Sequence, residues 1–597
     1  MLPVLKNVPK QKSFVINRFG GINITETYEG GELTGCSNIS AESYPALCAR
    51  KKRTVFSKCD GVINGTGNYD GIFYTYYLPD SQKLFLHFKG TDYEFTDISH
   101  SDNPKEKRKF ANLENCIVIV PDNIMFFTDT LKFETIDVNQ VYKYGDAQTK
   151  FRKETNGMTN VNTSDHKQRG IIRNNYIQAY YTDYRYSGTT KRFNFIAFDP
   201  AIKKDDVLTI KANVHSDEAP GGAEYSKYVE KMKAGITAMV KDVEIKNTST
   251  PTGDIKETVK LIFDDNAIDT GGYGDVYFTD ITIERKMPAT KLITSFNNRV
   301  WAVLKNTIYA SKLGEADEWN DFSADAYGTL PASSFSASAA TDGDFTAIIP
   351  CGNFIYAFKE NHIHKIYGDT PDEFTVSAIS APGVMADSDS ACVCGMNLMY
   401  VSGGAVHILR DGYPKNVSKK IGEISPVCAA AHKSKYYVIA GADSDRVIYI
   451  YDSDHGIWTM ENCHSDGDNL CSDGENVFYS SKGELICITK ADFGEPEKNV
   501  SWHFRLRFEA GTFSPATSIR AVARVRLKKN ASFTVRAFYD DDTRGALCGF
   551  CFDEMPDGCT DLRLPIKRNL GFYLEFRGTG DFVLRNIKFN YYKSDIE

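Results

Sequence analysis

KLITSFNNRVWAVLKNTIYASK (residues 291–312) is the first of five similar units that follow one another up to residue 490. The others are DFTAIIPCGNFIYAFKENHIHKIYG (344–368), SACVCGMNLMYVSGGAVHILRDG (390–412), CAAAHKSKYYVIAGADSDRVIYIYD (428–452) and NLCSDGENVFYSSKGELICITK (469–490). Apolar and aromatic residues alternate within each unit around a short turn, which is typical of half-buried strands. A sheet this small cannot bury both of its faces alone, so the units must pack against one another. The sequence therefore predicts an all-β protein built on a β-propeller.

Two further units of the same kind come earlier, NYDGIFYTYYLPDSQKLFLHFKGTDYEFTDIS (68–99) and ENCIVIVPDNIMFFTDTLKFETIDV (114–138). Together the units number seven. We expect a ring of six to eight blades, in which one blade is completed by a strand from a distant part of the chain.

Changes in residue pattern divide the chain into five parts. These are an N-terminal extended arm (1–60), the first propeller blades (61–143), an inserted β-rich domain (144–288), the remaining blades (289–495) and a C-terminal β-sandwich (496–597). The arm is predicted because its glycines and polar residues show no sustained period. The sandwich is predicted because alternating strands follow one another with turn signals every 8–12 residues or so.

One helix is expected in the inserted domain. Tyr228, Met232 and Ile236 have helical spacing within residues 222–240. Insertion of a domain between two blades destabilises the propeller little, because loop tips tolerate added chain.

The bulk composition limits the classes of function. The chain has 597 residues, enough for more than one domain, and a net charge of −8, which argues against a protein that binds nucleic acid over its whole surface. The basic run at residues 50–53 is interpreted as a solvated turn, with contact to an acidic partner or a nucleic acid as the alternative.

No apolar run is long enough to span a membrane, and we expect no signal peptide. The 14 cysteines are scattered, which is typical of buried strand residues in a reducing compartment.

Two residue groups have the spacing of known kinds of site. His362 and His364 lie on one face of a strand, but no third ligand follows at a diagnostic spacing, so exposed histidines at a blade turn are expected. Cys548 and Cys551 have the C-x-x-C spacing of redox and zinc sites, yet they lie among strands, so they are interpreted as structural cysteines.

The carboxylates lie in turns, and the chain has no nucleophile elbow, P-loop or zinc-protease motif. We therefore predict a protein that is not an enzyme, with no catalytic residues, no cofactor and no metal site.

Several stretches together resemble structural proteins of tailed-bacteriophage virions, the tail nozzle and stabilisation proteins. FGGIN and CSNISAESYPALCARKKR (within 19–53) are similar to the opening of such proteins, and SFNNRVWAVLKNTIYASKLGEADEWNDF (295–322) resembles one of their blades. FIYAFKENHIHKIYGDTPDEF (354–374) and MYVSGGAVHILRDGYPKNVSKKI (399–421) resemble the next blades, and GTGDFVLRNIKFNYY (578–592) is similar to their last strands. The similarity covers most of the chain in the order of its segments and in their residue patterns, without one highly specific motif.

The resemblance implies a ring-forming tail nozzle or tail-hub subunit that lines a DNA conduit, made in the host bacterial cytoplasm and located in the virion. The implied partners are copies of the chain in a closed ring, expected as a hexamer, the tail adaptor or portal-proximal proteins, tail fibres and double-stranded DNA in passage. Within the arm, Tyr44, Arg50 and Arg53 are the expected interface residues. Deletion of residues 1–60 is expected to leave the propeller folded and to abolish assembly.

Two alternatives remain open. A carbohydrate-recognising or carbohydrate-cleaving propeller, such as a receptor-binding tail component, would place aromatic side chains and paired carboxylates at one mouth of the propeller. A kelch-like or WD-like interaction scaffold would be a monomer with a peptide partner, but the units share no signature motif.

Overall fold

The computed structural model describes most of the chain. The described residues are 11–27, 29–96, 103–136, 140–144, 170–173, 175–183, 207–215, 223–249, 255–263, 268, 276–285, 290–319, 332–410, 412–442, 444–509, 516–528, 530–539, 548–553, 558–563 and 571–593.

Among the residues that the structure describes, seven four-stranded antiparallel sheets form the blades of the propeller. Blade 1 consists of Val62–Asn68, Ile72–Tyr77, Leu84–Phe88 and Thr91–Glu94, and blade 2 of Lys109–Leu113, Cys116–Val120, Ile124–Phe127 and Lys132–Thr135. Blade 3 consists of Leu292–Phe296, Arg299–Leu304, Thr307–Ala310 and Phe335–Ser338, and blade 4 of Ala347–Cys351, Phe354–Lys359, His362–Tyr367 and Thr375–Ser380.

The last three blades complete the ring. Blade 5 consists of Cys392–Cys394, Asn397–Ser402, Ala405–Arg410 and Tyr413–Asn416, and blade 6 of Pro426–His432, Lys435–Ala440, Val447–Asp452 and Ile457–Asn462. Blade 7 takes Asp468–Ser472, Val477–Ser481 and Glu484–Cys487 from one part of the chain and its outermost strand, Thr54–Lys58, from another. This is the predicted closure of one blade by a distant strand.

Hydrophobic clusters join every blade to the next. Phe73 of blade 1 packs in one cluster with Ile117 of blade 2, and the series continues round the ring until Phe478 of blade 7 packs with Tyr74 of blade 1. The middle strands are buried on both faces because a neighbouring blade covers each side. In strand Ile72–Tyr77, for example, all six residues are buried. The predicted all-β propeller fold is thus confirmed, with seven blades.

The inserted region lies between blades 2 and 3. Its strands are Gln140–Tyr144, Gly170–Arg173, Tyr176–Asp183, Val207–His215, Ile236–Ser249, Ile255–Phe263 and Val276–Arg285. Strand Val276–Arg285 pairs with both Gly170–Arg173 and Val207–His215, so six of these strands form a closed circuit. Strand Gln140–Tyr144 pairs antiparallel with residues 281–285, whose other edge pairs with residues 208–212, so the entering and leaving strands lie side by side within one sheet.

The predicted helix is shorter than expected. It spans Ala223–Ala234, and Ile236 already belongs to the following strand rather than to the helix. The reason is Gly235, whose φ of 110° ends the helix while its amide donates to the Lys231 carbonyl at 3.0 Å. This 12-residue helix is not long and apolar enough to cross a membrane, and neither is any other helix in the described part of the chain.

The C-terminal region forms two facing sheets. One contains Ile39–Ser40, Leu47–Ala49, Phe582–Lys593, Ala516–Leu527 and Gly558–Arg563, with Gln11–Ile16 also paired to Phe582–Lys593. The other contains Leu33–Ser37, Ser501–Glu509, Gly571–Thr579, Ser532–Tyr539 and Cys548–Asp553. Aromatic side chains fill the space between them, with ring centroids 4.0 Å apart for Trp502 and Phe582. The cluster continues without interruption into blades 5 and 6.

The expectation of an extended arm at residues 1–60 is wrong for the described part of that segment. Gln11–Ile16, Leu33–Ser37 and Leu47–Ala49 are strands of the C-terminal sheets, and Thr54–Lys58 is a strand of blade 7. Between them, the amide of Ile22 donates to the Trp458 carbonyl at 2.8 Å on the outer strand of blade 6. We call residues 11–58 the strap. Its strands are short and irregularly spaced, which is why no period is visible in the sequence.

Candidate functional site

The strap is fixed to the rest of the chain by a buried arginine. Arg50, 3% exposed, donates from Nη1 and Nη2 to the two carboxylate oxygens of Glu497 at 2.6 and 3.0 Å. Its Nε donates to Asn38 Oδ1 at 2.9 Å, and the same oxygen accepts the Asn462 amide at 3.0 Å. Burial alone would raise the pKa of Glu497, but the hydrogen bonds and charges of Arg50 and Arg53 together outweigh burial and the pKa is lowered. The carboxylate is therefore ionised, and the pair joins the strap to the segment that leads into the sandwich.

Arg53 forms a second attachment three residues later. Its Nη2 donates to Glu461 of blade 6 at 2.9 Å, and its guanidinium lies 5.4 Å from the ring centroid of Tyr479 in blade 7. Burial would lower the pKa of Arg53, but Tyr479 and Glu461 outweigh it, so the pKa is raised. Arg53 thus links blade 6 to blade 7, immediately before the strand that completes blade 7.

Tyr44 lies on the outside of the same segment. Its ring centroid is 4.0 Å from that of His455 in blade 6, and the Arg18 guanidinium lies 5.5 Å from it. The ring is half-buried. Of the three predicted interface residues, only Tyr44 keeps an accessible surface. Arg50 and Arg53 are buried and bind carboxylates of their own chain, so they are not available to a partner in this conformation.

The axis of the propeller is closed by ion pairs. Lys107 extends from the chain just before blade 2 and lies 2.7 Å from Asp468 of blade 7 and 3.8 Å from Asp389, which precedes blade 5. Lys109 forms an ion pair with the same Asp389. Burial would raise the pKa of Asp389, but Lys109 and Lys107 outweigh it and the pKa is lowered. Two cations and two carboxylates thus link blades on opposite sides of the ring.

Lys107, Lys109 and Asp389 line a cavity of about 280 Å³ between the inner strands, together with Thr66, Asn112 and Asn469. Asp389 is held ionised by two lysines, whereas a general acid needs a raised pKa. The arrangement suits a structural closure of the axis. This set of charges is not among the residues predicted from the sequence, although a signal exists: KEKRK at residues 105–109 is a second dense basic run.

The histidine pair of blade 4 differs from the expectation. His364 is buried, and its Nε2 lies 2.9 Å from Thr341 Oγ1. Burial and the nearby Lys359 lower the pKa of His364 to about 4. The expected exposed histidine is therefore a neutral core residue at this position. No group of three or more His, Cys, Asp or Glu side chains in the described ranges could hold a metal ion.

The cysteine motif lies on the strands expected from the sequence. Cys548 and Cys551 belong to strand Cys548–Asp553, at the edge of a sandwich sheet beside Ser532–Tyr539. Their side chains lie outside the described residues, so the interpretation of structural cysteines stays a prediction.

Comparison with known proteins shows no family for this chain. No protein-family model and no curated protein matches the chain. Virginiamycin B lyase from Staphylococcus aureus is similar at 10% identity, covering 74% of this chain and 99% of that chain with a TM-score of 0.33. Hsv2 from Kluyveromyces marxianus is similar at 8% identity, covering 67% and 97%, with a TM-score of 0.25.

Hsv2 from Kluyveromyces lactis is similar at 12% identity, covering 33% of this chain and 60% of that chain with a TM-score of 0.24. The similarity is to β-propeller proteins. At these identities and TM-scores, the similarities carry no argument about function.

Proposed function

We propose that this chain is a structural subunit of a tailed-phage virion, a tail nozzle or tail-hub protein that forms a ring around a DNA conduit. The proposal starts from the resemblance of residues 19–53, 295–322 and 578–592 to such proteins. The observation that carries it is the strap, which makes the propeller and the sandwich one continuous body.

The strap suits a wall element that must resist force. Arg50 and Glu497 tie it to the segment between blade 7 and the sandwich, and one hydrophobic cluster runs from Met399 in blade 5 to Phe589 in the last strand. Because cores of this kind are densely packed, the two domains cannot move independently without exposing that cluster. A subunit of this kind transmits strain to its neighbours without deforming.

The DNA path lies between subunits rather than along the propeller axis in this proposal. The axis is closed by Lys107, Lys109, Asp389 and Asp468, and its cavity of about 280 Å³ is small even for a small-molecule ligand. Head-to-tail contacts between identical copies close into a ring, with a hexamer expected. The net charge of −8 supports passage without tight binding, because acidic surfaces repel phosphate.

The inserted region is the proposed contact to other tail proteins. Its first and last strands, Gln140–Tyr144 and Val276–Arg285, pair side by side, so the chain enters and leaves this region at neighbouring positions. Adaptor or portal-proximal proteins and tail fibres are the proposed partners. Tyr44 stays a proposed interface residue.

Mass measurement of the purified chain in solution, followed by electron microscopy, tests the proposal. A ring with an axial hole, or a monomer that enters rings on mixing with tail components, is the expected result. A monomer that ignores tail components and binds glycans would instead support the carbohydrate-recognising alternative. A monomer that binds a peptide would support the interaction scaffold.

A further inference from the structure

Charge is distributed unevenly along the chain. Residues 501–597 contain 16 Lys and Arg against 12 Asp and Glu, a net charge of +4, although the whole chain has −8. The remaining residues therefore carry −12. The sandwich is a basic module attached to an acidic propeller, so it attracts different partners from the rest of the molecule.

The basic side chains lie on outward-facing positions of the strands. Along Ser501–Glu509, buried Trp502, Phe504 and Leu506 alternate with outward-facing residues. Cross-strand register aligns the outward residues of three neighbouring strands in rows, His503–Arg577–Thr534, Arg505–Glu575–Arg536 and Arg507–Tyr573–Phe538. We call these nine residues the basic face. It carries four arginines and one carboxylate.

Glu575 organises the centre of the basic face. Its carboxylate is 2% exposed and accepts hydrogen bonds from Arg505 Nε and Nη2 at 3.0 and 2.9 Å. It also accepts from Arg577 Nη2 at 3.0 Å and lies 2.8 Å from Arg577 Nε. The side chains of Arg505 and Arg577 stay 46% and 54% exposed. One buried anion thus holds two cations in fixed positions at the surface, with a net charge of +1.

The surroundings of these arginines suit phosphate. A groove of about 470 Å³ beside them is lined by Asn38, Ser501, His503, Thr534, Arg577 and Thr579. Hydroxyl, amide and guanidinium groups are the side chains that contact phosphate oxygens in protein–DNA complexes. Guanidinium groups bind phosphate in a bidentate manner, and fixing them beforehand reduces the entropy lost on binding.

The aromatic residues of the basic face favour a duplex over a single strand. Phe538 and Tyr573 stack on each other with ring centroids 5.2 Å apart, and the Arg505 guanidinium lies 5.6 Å from the Tyr573 centroid. Single-strand binding uses open aromatic faces on which bases stack. Here the rings already cover one another, so contact to a sugar–phosphate backbone is the favoured mode.

We propose that the basic face binds the phosphate backbone of double-stranded DNA without sequence preference. This inference rests on the proposed function, since a conduit brings a duplex past the subunit. The basic face supplies a weak, salt-sensitive contact, and the acidic remainder of the chain keeps that contact local. Duplex moving through the ring is thus guided along the sandwich.

Binding of a short fluorescent DNA duplex to the full-length chain, followed by anisotropy between about 50 and 200 mM salt, tests the inference. We expect affinity to fall steeply with salt. Arg536→Gln removes an exposed cation and leaves the Glu575 ion pairs intact. It should weaken binding about eightfold near 0.1 M salt and reduce the slope of log K against log salt by about 0.9. Arg505→Gln with Arg577→Gln should weaken binding further.

Lys415→Gln, which removes an exposed cation from blade 5, is the matched control and should leave affinity unchanged. Equal affinity of the parent and Arg536→Gln, or no duplex binding at low salt, would overturn the inference. Salt-sensitive self-association that is lost in Arg536→Gln without DNA binding would assign the basic face to a neighbouring copy and also overturn it. Ring formation, measured on the same samples, reports separately on the proposed function.

Discussion

Arg50 and Glu497 form a two-pronged ion pair, with Nη1–Oε2 and Nη2–Oε1 distances of 2.6 and 3.0 Å, across a separation of 447 residues. The pair holds the strap against the segment that leads into the sandwich, because each partner lies next to an attachment of the strap. Arg53 binds Glu461 close by, so three neighbouring parts of the chain meet at one cluster of charges.

Arg50→Ala should destabilise the protein by about 2 kcal/mol. Removing one partner of a fully buried ion pair lowers the free energy of unfolding by more than this. Glu497 is partly exposed, however, so water will solvate its carboxylate in the variant. Urea unfolding measures the change. The control is Lys51→Ala, since Lys51 pairs with Glu42 at the surface, and it should change stability by less than about 0.5 kcal/mol. Equal stability of the two variants would show that the Arg50 pair does not fix the strap.

Deletion of residues 1–60 should prevent formation of a stable propeller, contrary to the expectation from the sequence. Removal of Thr54–Lys58 exposes the edge of strand Glu484–Cys487, and removal of Leu33–Ser37 does the same in the sandwich. Exposed edges of this kind promote aggregation. We expect loss of the cooperative thermal transition, measured by circular dichroism, and increased binding of a hydrophobic dye.

A synthetic peptide of residues 49–60 provides the control for that deletion. If the missing strand is the cause, the peptide should restore part of the transition in a truncated chain that retains residues 11–48 joined to residue 61. A truncated chain that unfolds at the parental temperature without the peptide would contradict the importance of the closing strand.

The sequence predicted the repeating part of the fold because each blade is local. In the unit at 428–452, for instance, alternation and the turn at Lys433 define the hairpin of Pro426–His432 and Lys435–Ala440 without reference to the rest of the chain. Closure depends on distant pairing, and nothing in TVFSK at 54–58 specifies Glu484–Cys487 as its partner. The strap therefore looked unstructured although its strands are paired.

The charged residues of the candidate site also pair over long distances along the chain. The Lys107–Asp468 ion pair spans 361 residues, and its partners are adjacent only because the inner strands of blades 2 and 7 both line the axis. Composition could identify basic runs but not their partners. For that reason Arg50 and Arg53 were predicted as interface residues, whereas the structure buries them beside carboxylates of the same chain.

Asp389→Asn should destabilise the protein by about 2 kcal/mol, because it leaves Lys107 and Lys109 close together with only Asp468 as a partner. Thermal unfolding measures the change. Asp387→Asn is a matched control, since Asp387 is exposed and both positions have positive φ, which asparagine tolerates. Combination of Asp389→Asn with Lys109→Met should recover part of the loss, and strict additivity would contradict the ion-pair explanation.

His364 should make the protein less stable in mild acid. Its pKa is lowered to about 4 by burial, so the folded state holds it neutral while the unfolded chain binds a proton below about pH 6.5. Stability is therefore complete above that pH and is lost as the pH falls towards 4, by about 2 kcal/mol at pH 5. Urea unfolding at pH 7.5 and 5.0 should show this loss in the parent and a smaller loss in His364→Gln. His362→Gln, in the same strand but partly exposed, is the control, and an unchanged pH dependence in His364→Gln would contradict the assignment.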